Sequence, residues 1–332
     1  ELAITGSPQH LYHLSLPCLI EYKVTYYHLI ESLQAYLKQS VLNRGLFILL
    51  LVFTGAALSS FFGFLISELF LGIPLFSNKE LLDNLSNPEL LPALRLTQIL
   101  MFLGMMIIPA VVYLWLTDST WLKHVFTAPV RQPILICIAL FMVAFPFINF
   151  VAEWNSSWNI PTFIGDWMHG KEAETGDLTK SFLNMPNVGL LILNLLMIGL
   201  LPALGEELIF RGVLQGGLQR YWKNPHLAIW VTAIVFSAVH FQFLGFVPRM
   251  LMGAAMGYLF FWSGNLWYPI IAHFTNNAMA VVLSYGIQHG SVRSEIENAG
   301  IENETMAALS LLFCLMLLYV FKKHQESVSL VQ

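Results

Sequence analysis

Residues 188–211 read VGLLILNLLMIGLLPALGEELIFR, and no charged side chain occurs in that run before Glu206. At about 1.5 Å rise per residue the run is long enough to cross a bilayer as one helix. It ends in Glu206-Glu207-x-x-x-Arg211. A charged side chain at the bilayer centre costs about 2.5–3.5 kcal/mol on insertion scales, so such residues face the interior of a bundle and mark function by default. Two more polar clusters sit in the apolar sequence that follows, Phe236-x-x-x-His240 and His273-x-x-x-Asn277.

The rest of the chain fits this reading. Of 332 residues, 57% are hydrophobic and 11% charged, with mean hydropathy +0.66. Soluble domains carry about 25% charged residues. The chain therefore reads as an all-α, polytopic transmembrane bundle with about eight spans, at 45–66, 97–117, 132–152, 188–211 (continuing to 220), 227–243, 246–262, 267–287 and 305–321. Residues 1–44 form an N-terminal segment, 45–323 the membrane domain and 324–332 a short tail. In the first segment Tyr26, Leu29, Ile30, Leu33 and Leu37 keep helical spacing with one polar face, which predicts an interfacial helix. Residues 1–20 lack a basic region before a clean apolar stretch, so no signal peptide is expected there.

The longest polar stretch, 153–187, is expected to be an acidic loop, with Gly165, Gly170 and Gly176 as turn residues. Its tryptophans, Trp154, Trp158 and Trp167, suit an interface belt. With eight spans, Lys38, Arg44, Lys123, Arg131, Arg220, Lys223, Lys322 and Lys323 fall on one side, and Lys79, Arg95, Lys171, Lys180, Arg249 and Arg293 on the other. That bias favours both termini in the cytoplasm of a prokaryotic plasma membrane. A net charge of −4 and the lack of a basic block argue against a nucleic-acid partner. Cys18, Cys137 and Cys314 form no Cys-x-x-Cys pair and read as small buried hydrophobes.

Residues four apart share a helix face, which pairs Phe236 with His240, His273 with Asn277 and Glu207 with Arg211. Glu206 lies about 100° round the helix from Glu207. Glu206 stands 17 residues before Lys223 and His240 stands 17 after it. Two antiparallel helices from a turn at Lys223 would thus bring the carboxylate and imidazole to equal depth. His273 is only nine residues from Gly264. For it to join them, its turn is sunk into the protein, its helix is tilted, or the site is offset.

A carboxylate and an imidazole together can deprotonate a water. A second imidazole and an amide can donate to a developing oxyanion. The parts match acyl-bond hydrolysis without a covalent nucleophile. Two His and a Glu could also bind zinc with an open position, but His-Glu-x-x-His is absent, so no cofactor is expected and zinc is the minor alternative.

The three motifs, in this order on separate apolar segments, resemble the CPBP intramembrane protease family, which includes type II CAAX prenyl endopeptidases and bacteriocin-processing or self-immunity proteins. The resemblance covers about residues 188–288. It implies that Glu206 and His240 activate the water, that His273 and Asn277 form the oxyanion hole, and that Glu207 and Arg211 brace the site above Phe236. CAAX members of the family remove three residues from a prenylated C-terminus. The expected partners are a membrane-associated peptide or lipidated protein and the bilayer; the oligomeric state is left open. Outside this class, a non-catalytic scaffold or self-immunity protein would tolerate loss of Glu206, and a proton-coupled transporter would bring inverted repeats or broken helices.

Overall fold

The structure, a computed structural model, describes residues 16–78, 81, 87–158, 161–301 and 303–329. Residues 1–15 of the N-terminal segment, Lys79, the last three residues of the tail, and the side chains of Tyr26 and Lys123 lie outside the described residues. The chain divides into two compact units, 1–47 and 48–332.

In the first unit, α1 (Leu16–Gln39) covers the predicted helix at 26–37 and begins a further ten residues upstream. Its last carbonyls need partners beyond the helix. Asn43 Nδ2 donates to Tyr36 O at 3.0 Å and Arg44 Nε to Leu37 O at 2.8 Å. Ser40 Oγ accepts from the Asn43 amide at 3.0 Å, capping the next helix.

Every regular element among the described residues is helical. The long apolar helices are α2 (Val41–Leu71), α3 (Pro88–Thr117), α7 (Val188–Trp222), α9 (Phe243–Ser263), α10 (Trp267–Gln288) and α11 (Glu304–Ser327). Among the described residues six helices are thus long and apolar enough to cross a membrane, and the chain is an integral membrane protein. A seventh span is counted if α4 (Arg131–Val143) and α5 (Phe145–Ser156), bent by 42°, act as one. Pro146 lies in the first turn of α5, where it removes a backbone donor and clashes with the preceding turn. The eighth apolar run is α8 (Pro225–Ala238), only 14 residues long. Each of the eight expected segments is therefore a helix, but 132–152 is broken and 227–243 stops early.

The expected loop at 153–187 is mostly a helix, α6 (Thr162–Leu183). Gly165, Met168 and Phe182 are buried along one face while Asp166, Glu174 and Asp177 are exposed. Three glycines and the acidic residues mask that amphipathic spacing in the sequence. The C-terminus of α6 is pinned at the Phe182 carbonyl, which accepts from Arg95 Nη2 at 3.3 Å and Asn194 Nδ2 at 2.6 Å.

One apolar core joins α4 and α7–α11 through Phe141, Phe210, Phe236, Met256, Leu259, Tyr268 and Phe321. Within it α8 and α9 approach closely along Gly253-x-x-x-Gly257. A Cβ on Gly257 would stand 2.9 Å from both Ile229 Cγ2 and Gln215 Oε1. Small residues four apart are how membrane helices reach such proximity.

Candidate active site

Three helices and one turn supply the predicted residues: α7 carries Glu206, Glu207 and Arg211, α8 carries Phe236, the turn after it carries His240, and α10 carries His273 and Asn277. In α7 the two glutamates close an α-helical stretch, Leu201–Glu207, set between two π-helical stretches, Leu195–Leu200 and Leu208–Gln215. Such wide turns are rare and concentrate at functional sites.

The equal-depth expectation for Glu206 and His240 holds. Lys223 adopts a left-handed conformation at φ 54°, and Asn224 caps α8 by accepting from the Leu227 amide at 3.1 Å. From that turn the two chains run back so that His240 Nε2 lies 3.8 Å from Glu206 Oε2. The way His240 gets there differs from expectation. Helix α8 ends at Ala238, so His240 stands past its end. Its amide bonds to Ser237 O rather than to Phe236 O. The orphaned Phe236 carbonyl instead accepts from His240 Nδ1 at 2.7 Å. A carbonyl can only accept, so Nδ1 carries the hydrogen and Nε2 is the atom presented to Glu206. The next residue, Phe241, has φ 54°, an uncommon conformation for a bulky side chain, and is 57% exposed.

His273 joins the pair, and the turn before it is sunk into the protein. Leu266 is fully buried and its amide donates to Val125 O at 2.8 Å. Asn265 Nδ2 donates to Thr127 O at 2.9 Å. The buried turn is one of the three arrangements open in the sequence.

Glu207 does more than neutralise Arg211. Its Oε2 lies 3.0 Å from Arg211 Nε, an ion pair off the line of a hydrogen bond. Its Oε1 accepts from His273 Nδ1 at 2.9 Å. All three side chains are buried. The carboxylate thus fixes the His273 ring and turns Nε2 toward Glu206 Oε2, 3.9 Å away. Sequence spacing shows the Glu207–Arg211 pair, but nothing in it points to this third partner.

Phe236 lies among these groups, edge-on to His240 at 5.1 Å and to His273 at 6.0 Å between ring centres. The Arg211 guanidinium sits 5.2 Å from its centroid, close enough for a cation–π contact. Arg211 Nη2 also donates to Gly253 O at 3.2 Å, and Gln215 Nε2 to Gly257 O at 2.9 Å. These two bonds fasten α7 to the glycine face of α9. The motif spacing does not mark Gln215, though it lies four residues after Arg211 on the same face.

Glu206, His240, His273, Asn276 and Asn277 all line a cavity of about 430 Å³. Asn277 donates one amide hydrogen to Ile198 O at 3.1 Å and accepts from Asn276 Nδ2 at 3.2 Å. Its amide carries a second hydrogen. Four further polar residues stand on the cavity wall, Gln98, Thr179, Gln242 and Arg249, and none belongs to a motif. In the sequence Arg249 reads only as a basic residue near the end of the expected span 246–262, and it sits near the start of α9.

Chemically, two imidazole Nε2 atoms converge on one carboxylate oxygen from just under 4 Å. Those gaps are too long for direct hydrogen bonds and suit one bridging water. No group of three or more His, Cys, Asp or Glu placed to hold a metal ion occurs among the described residues.

Comparison with known proteins bears on this same region. Residues 188–279 match the family model described as type II CAAX prenyl endopeptidase Rce1-like, in agreement with the resemblance carried by the three motifs. A stretch of 117 residues is 27% identical to the Bacillus subtilis (strain 168) protein described as uncharacterized protein YpbD. It covers 34% of this chain and 55% of that relative, so the chain spans about half the length of the curated protein it matches. No solved structure matches the chain.

Proposed function

We propose that this protein is an intramembrane endopeptidase that hydrolyses a peptide bond of a membrane-associated peptide or lipidated protein. The observation that carries the proposal is the convergence of His240 Nε2 and His273 Nε2 on Glu206 Oε2, at 3.8 and 3.9 Å, inside a cavity in a membrane bundle. The family match over 188–279 supports the same reaction class.

In this reading a water bridges Glu206 and His240. Glu206 accepts its proton, with His240 Nε2, held ready by the Phe236 carbonyl, as the second acceptor. The hydroxide adds to the scissile carbonyl carbon. The resulting oxyanion receives hydrogen bonds from His273 Nε2 and from the free amide hydrogen of Asn277. Donation from Nε2 requires a doubly protonated His273 ring, and the carboxylates of Glu206 and Glu207 together match its charge and that of Arg211. The captured proton then passes to the leaving amine as the C–N bond breaks. These steps need no metal.

The test is hydrolysis by purified protein in detergent, using a lipidated C-terminal peptide and a mixed peptide library, with wild type set against Glu206→Gln. Cleavage that disappears in the variant supports the reading. Equal cleavage by both removes Glu206 from the mechanism, and no cleavage by folded wild type favours a scaffold or immunity role. A chelator such as 1,10-phenanthroline should leave the rate unchanged; its abolition, restored by added zinc, would return a metal to the site.

A further inference from the structure

His240 stands on a short irregular stretch, so something outside that stretch has to hold it in place. Past Ala238 the chain runs through His240 and the left-handed Phe241 to Gln242 before α9 begins. Helix α9 opens on a single 3-10 turn, Phe243–Gly245, and becomes α-helical at Phe246. The residue ahead of that α-helical part is Gly245, which has no side chain to cap the free amides of the first turn. The backbone bonds of the stretch are local. The His240 amide donates to Ser237 O, the Phe241 amide to Ala238 O and the Phe246 amide to Phe243 O.

The missing cap comes from α5. Asn155, in the last turn of that helix and 2% exposed, sets its amide against both ends of the opening turn of α9. Its Nδ2 donates to Phe243 O at 3.3 Å, and its Oδ1 accepts from the Val247 amide at 2.8 Å. A carbonyl can only accept and a backbone N–H can only donate, so the two partners fix which way the side-chain amide faces. Two other side chains tie the same stretch from within α8 and α9. Ser237 Oγ donates to Phe246 O at 2.6 Å, and Arg249 Nη1 to Gln242 O at 3.2 Å. Asn155 differs in coming from another helix, ahead of the region 188–279 that matches the family model. Its bonds reach 88 and 92 residues along the chain, so no spacing in the sequence marks it.

We propose that Asn155 is a positioning residue for His240. By bonding the carbonyl three residues past His240 and the first turn of α9 together, it holds the stretch that carries the imidazole. His240 Nε2 is thereby kept at the distance from Glu206 that a bridging water needs. The inference rests on the peptidase reading and deepens it. Water activation depends on a residue outside the three motifs, and α5 becomes a working part of the site. Asn155 stands behind the turn and is not among the residues on the cavity wall, so substrate binding does not draw on it directly. Misplacing a reacting group by about 1 Å can cost on the order of 10²-fold in rate.

The experiment compares the full chain with Asn155→Leu, which keeps the side-chain volume and loses both bonds. Val151→Ala, one turn earlier on α5 and also buried, controls for the stability of that helix. Hydrolysis of a lipidated peptide, the melting temperature in detergent and backbone hydrogen–deuterium exchange are measured on each protein. Asn155→Leu should lower kcat at least about tenfold and leave KM within about threefold. It should speed exchange over residues 239–247 while 201–222 and 267–288 exchange as in wild type. Val151→Ala should lower the melting temperature and keep kcat within about threefold. If Asn155→Leu does not fold, Asn155→Ser, too short to reach both partners, makes the same comparison. Wild-type kcat in the Asn155 variant overturns the proposal. So does an equal fall of kcat in Val151→Ala, or faster exchange throughout the bundle, since either would mean that Asn155 serves stability alone. If folded wild type cleaves nothing, the peptidase reading fails, and exchange over 239–247 alone decides whether Asn155 holds the turn.

Discussion

At the scale of single residues, Glu206 and Glu207 are adjacent in sequence and take opposite roles through their neighbours. Glu207 is buried between Arg211 and His273, whereas Glu206 faces the cavity and the two Nε2 atoms. Glu206→Gln is nearly isosteric and is expected to abolish hydrolysis while leaving thermal unfolding close to wild type, as read by activity assay and a melting curve in detergent. Arg211→Ala leaves Glu207 as an uncompensated buried charge, which costs about 3–5 kcal/mol in such pairs. A lower folded yield and a lower melting temperature are expected, measured by fluorescence-detected size exclusion. A stable, active Arg211→Ala protein would contradict the bracing role. The pairing of Glu207 with Arg211 is legible in the sequence because it is local, four residues along one helix. The grip of Glu207 on His273 is not, since that contact joins residues 66 apart and depends on how deeply the turn before α10 is sunk.

Among the helices, the placement of polar residues depends on two local devices. One is the glycine face of α9. Gly257 lets Gln215 and Ile229 lie against its backbone, so Gly257→Leu should force α8 and α9 apart at a cost of about 1–3 kcal/mol. Both melting temperature and activity should fall, with Phe236 and His240 displaced together; an unaffected protein would show that the close approach is not needed. The other device is the end of α8. A left-handed conformation costs a non-glycine residue about 1–2 kcal/mol, and Phe241 bears this with its side chain 57% exposed. Phe241→Gly should therefore keep hydrolysis, whereas Phe241→Pro, with φ fixed near −65°, should lose it. If both variants behave alike, the turn does not position His240. The helices themselves are legible in the sequence because each expected apolar run keeps its hydrophobic character throughout. Their interruptions, at Pro146 and after Ala238, are not legible, and neither is the helical order of 162–183. There the apolar spacing is diluted by glycines and acids that elsewhere mark loops.

For the molecule as a whole, the side of the membrane that the cavity faces has most bearing on substrate. Helix α8 leads from the Lys223 turn to His240, about 21 Å of rise for its 14 residues. The far end of that rise meets α6, where Trp167 packs near Phe243 at 5.5 Å. Cavity, His240 and α6 thus lie at the opposite end of the bundle from Lys223. Of the six basic residues that the sequence puts on the cavity side, Arg95 and Arg249 prove to be held inside the protein by Phe182 and Gln242. The sequence bias of eight basic residues against six remains the argument for a cytoplasmic Lys223 turn. The orientation bears on substrate: a cytosolic prenylated chain end calls for the cavity end of the bundle to face the cytoplasm, the reverse of what the charge bias favours. Cysteine labelling decides between the two. In a Cys18→Ser background, with Cys137 and Cys314 buried, Gly170→Cys on α6 should react with a membrane-impermeant maleimide in intact cells. Lys223→Cys should react only after permeabilisation. The reverse pattern would place α6 and the cavity in the cytoplasm, overrule the charge bias, and restore cytosolic lipidated proteins as the substrate class.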